Sequence, residues 1–184
     1  MIKRKINTPS WVSWRTVYEV NLRQYSPGGT ITEFEAHLPR LKELGVGILW
    51  FMPVFPVGRK NRKGSLGSYY SIRDYRNINP EFGTLEEFKS LIDKAHGMGL
   101  KVILDWVANH TAWDHHWTKD HPQFYHRDEN GGFKAPVPEW EDVIHLDYGN
   151  PDLWDAMIGE MKFWLQEADV DGFRCDMAHL VPTL

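Results

Sequence analysis

Lys101-Val102-Ile103-Leu104-Asp105-Trp106 is an apolar run that turns polar near its end and continues into Val107-Ala108-Asn109-His110. Four to six apolar residues without polar alternation are what a strand covered on both faces requires. Gly47-Ile48-Leu49-Trp50-Phe51-Met52, ended by Pro53, reads the same way, and Val170 to Cys175 is a third run of this kind. Upstream, Thr16-Val17-Tyr18-Glu19-Val20 is rich in β-branched and aromatic residues and reads as the first strand. Helical spacing fills the gaps. Phe34, Leu38, Leu41 and Leu44 share a face between Thr32 and Leu44, with Thr32 and Glu35 at capping-box spacing, Gly45 as a stop and a bend expected at Pro39. Thr84 to Met98 repeats the capping box with Thr84 and Glu87 and buries Leu85, Phe88, Leu91, Ile92 and Ala95. Asn150-Pro151 opens a third helix with Leu153, Met157, Met161, Trp164 and Ala168 as its buried stripe.

The order is therefore β-α-β-α-β-α-β, and right-handed crossovers make it a parallel α/β arrangement. Residues 111–147 interrupt it with a long stretch rich in His, Trp, Asp and Pro, too long for a simple connection. No G-x-G-x-x-G follows the first strand and no P-loop pattern occurs, which disfavours a nucleotide site. The polar residues gather just after the strands, where a (β/α) barrel keeps its active site. With 184 residues, 42% hydrophobic, general disorder is excluded. A net charge of −4 gives no electrostatic case for nucleic acid or an anionic membrane as partner. A single cysteine, Cys175, excludes a disulfide framework, and no run approaches the ~18 apolar residues that span a membrane. The basic start, Met1 to Asn7, lacks the apolar stretch of a signal peptide, so a soluble, cytoplasmic protein is expected. Lys60-Asn61-Arg62-Lys63 reads as a solvated basic loop.

Two strand ends carry candidate chemistry. Asp105 and Asn109 fall on one side for as long as the chain stays extended, and by themselves read as polar caps for the following loop. In Gly172-Phe173-Arg174-Cys175-Asp176, Arg174 and Asp176 are two apart and share a face, while Phe173 and Cys175 pack on the other. A guanidinium beside a carboxylate favours the ionised form, which suits a nucleophile or cation stabiliser and not a proton donor. A purely structural ion pair reads equally well at this position. The histidines at 110, 115, 116, 121 and 126 match no compact metal-ligand spacing, and His115 and His116 are expected to diverge. Trp113, Trp117 and Trp140 are candidates for a carbohydrate platform or for packing of the irregular stretch, and Cys175 is expected in the core.

Asp105-x-x-x-Asn109-His110 and Gly172-Phe173-Arg174-Cys175-Asp176 resemble the first and second signature regions of the alpha-amylase family of retaining glycoside hydrolases. Tyr70 to Tyr75 followed by Asn79-Pro80-Glu81-Phe82-Gly83-Thr84, then His121 to Tyr125 and Leu146 to Pro151, are similar to further segments of that family, in order from about Val17 to Pro182. The resemblance implies a TIM (β/α)8-type barrel, of which residues 1–184 hold about the first four β/α units, with an irregular insertion at about 111–147. It implies a glycosidase or glucanotransferase acting on α-glucosidic bonds of an α-glucan or α-glucoside. Asp176 would be the nucleophile and Arg174 would hold it ionised and oriented. His110 would bond the sugar, Tyr70 would stack on it, and Asp105 would fix the neighbouring polar groups of the substrate side. His179 stands where many starch-degrading members carry Lys, and Leu180 replaces a common His, which sets the leaving-group side apart. Asn109 matches a frequent calcium ligand, so calcium is the one cofactor the resemblance admits.

A retaining mechanism needs two carboxyl groups about 5 Å apart. In this family the acid/base is a Glu after the fifth strand, and Glu19, Glu139, Glu141, Glu160 and Glu167 offer no substitute by position. The chain alone is therefore expected to lack turnover. Its alternatives are a non-catalytic carbohydrate-binding or scaffold homologue, or one half of a split enzyme that self-associates or pairs with a complementary half-barrel.

Overall fold

A computed structural model describes residues 7–183; most of the basic start lies outside them. β1 (Thr16–Val20), β2 (Val46–Phe51), β3 (Lys101–Val107) and a fourth long strand, Gly172–Asp176, form one parallel sheet in chain order. Thr16–Val20 and the three apolar runs thus form strands within one or two residues of where their composition places them.

Pro39 does more than bend its helix. A short turn, α1 (Leu22–Tyr25), precedes α2 (Ile31–Glu35) and α3 (Leu38–Glu43), which are separate because proline has no N–H to offer Glu35 and sits instead in the first turn of α3. The cap is also two residues earlier than the Thr32–Glu35 spacing predicts. Thr30 accepts the Glu33 amide, and the Glu33 carboxylate accepts the Gly28 amide. Leu44, just past the end, is exposed. α4 (Leu85–Gly97) has the full expected capping box: Thr84 Oγ1 accepts from Glu87 N at 3.2 Å and Glu87 Oε2 accepts from Thr84 N at 2.7 Å.

The insertion has a structure of its own. β4 (His110–Ala112) and β5 (Val143–His145) pair as an antiparallel ribbon in which His110 faces His145, with the turn α5 (Trp117–Asp120) between them in the chain. α6 (Pro151–Glu167) then returns to the last strand of the large sheet, β6 (Gly172–Asp176), with Asn150 Oδ1 capping Asp152 N at 3.0 Å.

Period-two alternation divides the parallel sheet. Val20, Leu49, Phe51, Val102, Leu104 and Trp106 point outward and are fully or almost fully buried under the helices, against Phe34, Leu41, Phe88 and Trp164. Each fully buried Leu or Phe of this layer contributes about 1.5–3 kcal/mol relative to exposure. The opposite face carries Glu19, Trp50, Asp105, Arg174 and Asp176 among Ile48, Ile103 and Val107, so the charged groups named here gather on the side away from the helices. No helix among the described residues is long and apolar enough to cross a membrane.

Candidate active site

The register of β3 and β6 sets Asp105 opposite Arg174 and Val107 opposite Asp176. Because side chains two apart share a face, Arg174 reaches both carboxylates. Its Nη1 donates to Asp176 Oδ1 at 2.8 Å and to the two Asp105 oxygens at 3.0 and 3.1 Å. Asp105 has no exposed surface and also accepts from Trp50 Nε1 and Tyr70 Oη, each at 3.2 Å. Trp50 further offers its ring face to the Arg174 guanidinium, 4.9 Å from the centroid. Burial raises the Asp105 carboxyl above its usual range, with Arg174 opposing. Desolvation works against the charge on Arg174, but its bonds to Asp105 and Asp176 outweigh it and hold the guanidinium above its ordinary value. Burial, followed by the nearby Asp105 and Asp176 carboxylates, pushes the Tyr70 phenol up, so Tyr70 stays a donor.

Asp176 ends its strand at the rim of a cavity of about 440 Å³ also lined by Tyr70 and His110. The next residue, Met177, takes a left-handed conformation (φ 47°), which turns the chain sharply away and leaves the Asp176 carboxylate at the mouth. His110 is buried, and that burial lowers its pKa to about 4 against the opposing pull of Asp176 and Asp142, so the ring is neutral at pH 7. Asn109 Nδ2 lies 3.2 Å from His110 Nδ1, a bond that leaves the ring proton on Nε2.

The insertion completes the cavity. Trp140 and Asp142 line it, and the Trp140 ring meets His110 edge-on with centroids 5.5 Å apart. Lys63, from the loop after β2, lines it too, ion-pairs with Asp142 at 3.6 Å and donates to the Glu139 carbonyl. Asp142 and Asp176 are the carboxylates of the lining, which holds no Glu. Gly58 lets this loop lie against the insertion, since a Cβ there would come within 2.5 Å of Ala112 Cβ.

The Lys60–Lys63 strip is thus not simply a solvated loop. Lys63 reaches the cavity, Lys60 lies over Trp113, and Arg62 braces the loop through the Gly58, Ser65 and Val57 carbonyls. Sequence pattern alone also passes over Asp142 and Trp50, one in a loop without a motif and the other inside a uniformly apolar run; only the inward alternation of Trp50 marks it.

Other expected residues fall elsewhere. His179 is exposed on the turn after Met177 and lies outside the cavity lining. β3 stops at Val107, so the extended geometry that would pair Asn109 with Asp105 ends first, and Asn109 bonds His110 instead. Cys175 is exposed and not core: it points to the outer face of β6, an outermost strand, beyond the helical cover. His115 and His116 do not diverge, because the chain is already turning into α5. Their rings stack with centroids 4.6 Å apart. Trp117 is buried packing, and Trp113 donates to the Glu141 carbonyl beside a second, adjoining hollow. Among the described residues no three His, Cys, Asp or Glu side chains come together to hold a metal. Asn109 places its Nδ2 on His110, which leaves Oδ1 as the side-chain oxygen it could offer a calcium ion, against the 6–8 oxygens such an ion takes.

Parallel strands wound with helices, bearing their polar groups at adjacent carboxyl ends over a cavity, are the arrangement of a (β/α) barrel. The family model for the alpha amylase catalytic domain matches residues 24–140, more than half of the chain, and the chain belongs to the alpha-amylase family. It is 34% identical over 174 residues to an alpha-1,4-glucan:maltose-1-phosphate maltosyltransferase of Rhodospirillum rubrum, covering 84% of this chain and 25% of that protein. It is 30% identical to alpha-amylase 3 of Dictyoglomus thermophilum, covering 91% and 37%. Among solved structures, an alpha-amylase from Lactobacillus plantarum superimposes with a TM-score of 0.88 at 48% identity over 91% of this chain and 39% of that one. The chain therefore spans about a quarter to two-fifths of the length of these relatives.

Proposed function

We propose that this chain carries the nucleophile side of a retaining alpha-amylase-type site acting on α-glucosidic bonds. Support comes above all from Arg174, which joins Asp176 at the cavity mouth to the wholly buried Asp105. In this reading a sugar ring lies on Tyr70, and the neutral His110 donates from Nε2 to one of its hydroxyls. The Asp176 carboxylate attacks the anomeric carbon from the face opposite the leaving oxygen. The C–O bond breaks as an acid protonates the departing alcohol, giving a glycosyl ester on Asp176. Water, deprotonated by the same group, then opens the ester from the other face, and two inversions retain the configuration. A sugar hydroxyl in place of water makes the same step a transfer. Arg174 fixes the attacking oxygen, and Asp105, itself held by Trp50 and Tyr70, fixes Arg174.

The acid/base is the Glu that the family carries after its fifth strand. Asp142 is ion-paired with Lys63 and takes the role of a cavity wall. β1 and β6 are the outermost strands of the four-stranded sheet, and their unpaired edges are where a complementary half-barrel, or a second copy, would add strands.

The test is trapping with an activated fluoroglycoside of α-configuration, using this chain combined with a complementary C-terminal half. A covalent sugar on the Asp176 peptide, lost in Asp176→Asn, is the expected result. Labelling at another residue, or glucan binding with no label at all, would replace this reading with the carbohydrate-binding one. The 184-residue chain alone is expected to give no turnover of a chromogenic α-glucoside.

A further inference from the structure

A separate hollow of about 160 Å³ lies behind the loop that carries Lys63, lined by Arg59, Arg62 and Arg73 together with Asn79 and Glu81. Its charge is unbalanced. The Glu81 carboxylate is ion-paired at 3.3 Å with Arg23. Among the described residues, neither the Arg59 nor the Arg73 guanidinium has a carboxylate partner or a side-chain hydrogen bond. Three guanidiniums around one hollow repel each other, and Glu81, shared with Arg23, offsets only part of that repulsion.

Each of the three is anchored, Arg62 by its side chain and the other two by their backbone. Arg62 is fixed by the Gly58, Ser65 and Val57 carbonyls at 2.8, 3.2 and 3.4 Å. The Arg59 amide is held by both Asp114 oxygens at 3.0 and 3.2 Å, and the Arg73 amide by the Pro56 carbonyl at 2.8 Å. Arg62 is thus spent on the wall, while Arg59 and Arg73 are rooted at the hollow with guanidiniums that no side chain of the described residues engages. Guanidinium forks match the oxygens of a tetrahedral oxyanion, two N–H groups to two oxygens. Three cations against Glu81, itself shared with Arg23, leave a net charge of about +2 to +3, which a phosphoryl dianion balances. The lining has no aromatic ring to act as a sugar platform.

We infer that the Arg59–Arg62–Arg73 hollow binds a compact phosphoryl oxyanion, at a site distinct from the cavity of Asp176.

The experiment titrates inorganic phosphate into the 184-residue chain, at ionic strength held constant with chloride, and follows both heat and melting temperature. Phosphate is expected to raise the melting temperature progressively where chloride does not. Arg59→Gln and Arg73→Gln should each weaken binding about tenfold. Arg59 is exposed and keeps its backbone bonds when substituted, so Arg59→Gln decides the matter if Arg73→Gln fails to fold. Glu81→Gln should tighten binding. Glucose 1-phosphate separates two sources of the same group: equal affinity assigns the site to free phosphate, and affinity tenfold higher assigns it to a sugar phosphate. Stabilisation by phosphate no greater than by chloride, affinity unchanged by Arg59→Gln, or displacement by maltose would overturn the inference.

Discussion

Replacing Arg174 by methionine removes the one cation that joins the two acidic strand ends while keeping much of the side chain's apolar length. Asp105 then remains wholly buried with only two neutral donors, Trp50 Nε1 and Tyr70 Oη, each at 3.2 Å. Removing one partner of a buried ion pair costs about 3–5 kcal/mol because an uncompensated charge is left behind. Arg174 is 38% exposed, so water reaches the vacated position and reduces the expected loss to about 2–3 kcal/mol. In a chain of this size that corresponds to a fall of about 4–12 °C in melting temperature. Urea titration of four proteins measures it: the parent, Arg174→Met, Asp105→Asn and the double variant. Neutralising Asp105 removes the stranded charge, so the double variant should recover at least about 1.5 kcal/mol relative to the sum of the single changes. A loss below about 1 kcal/mol for Arg174→Met, or strict additivity, would show that Asp105 does not depend on Arg174.

Stability should fall on mild acidification. The folded pKa of His110, about 4, lies below the unfolded value of 6.5, so the unfolded chain binds more protons between them. The contribution is complete above pH 6.5 and is lost as the pH falls towards 4, by about 3 kcal/mol for His110; His115, its pKa also lowered by burial, acts in the same direction. Urea midpoints at pH 7.5 and 4.5 for the parent and His110→Gln check this, and equal pH slopes would refute it. Tyr70→Phe removes the hydroxyl donated to Asp105 and should cost about 1 kcal/mol while leaving the ring for sugar. Tyr70→Ala should also weaken maltooligosaccharide binding, which calorimetry can compare with Tyr70→Phe. Thr84→Ala removes the α4 cap and should cost about 1 kcal/mol in chemical denaturation, with no change in sugar binding.

Where a residue's surroundings are local, the sequence is enough to place it. Thr84 and Glu87 cap α4 as their spacing predicts, and Asn150 caps α6. The Arg174–Asp176 spacing places both side chains on one face because strand alternation requires it. The errors have local causes as well. Thr30 outcompetes Thr32 as a cap because the Gly28–Gly29 turn brings its neighbour Glu33 back onto the Gly28 amide. Cys175 reads as core only if the outer face of its strand is covered at that point.

Periodicity and capping act over a few residues, and they suffice for the four parallel strands, the three principal helical segments and the Asp105, Arg174 and Asp176 strand ends. What shares the cavity with Asp176 depends on contacts between distant segments. Lys63, Trp140 and Asp142 come from two irregular segments more than 70 residues apart, brought together by the β4–β5 ribbon and by the Ser71 hydroxyl on the Asp142 carbonyl. No periodicity encodes that approach. It follows from strand pairing and loop packing between segments distant in sequence, and the same packing gathers three arginines around one hollow.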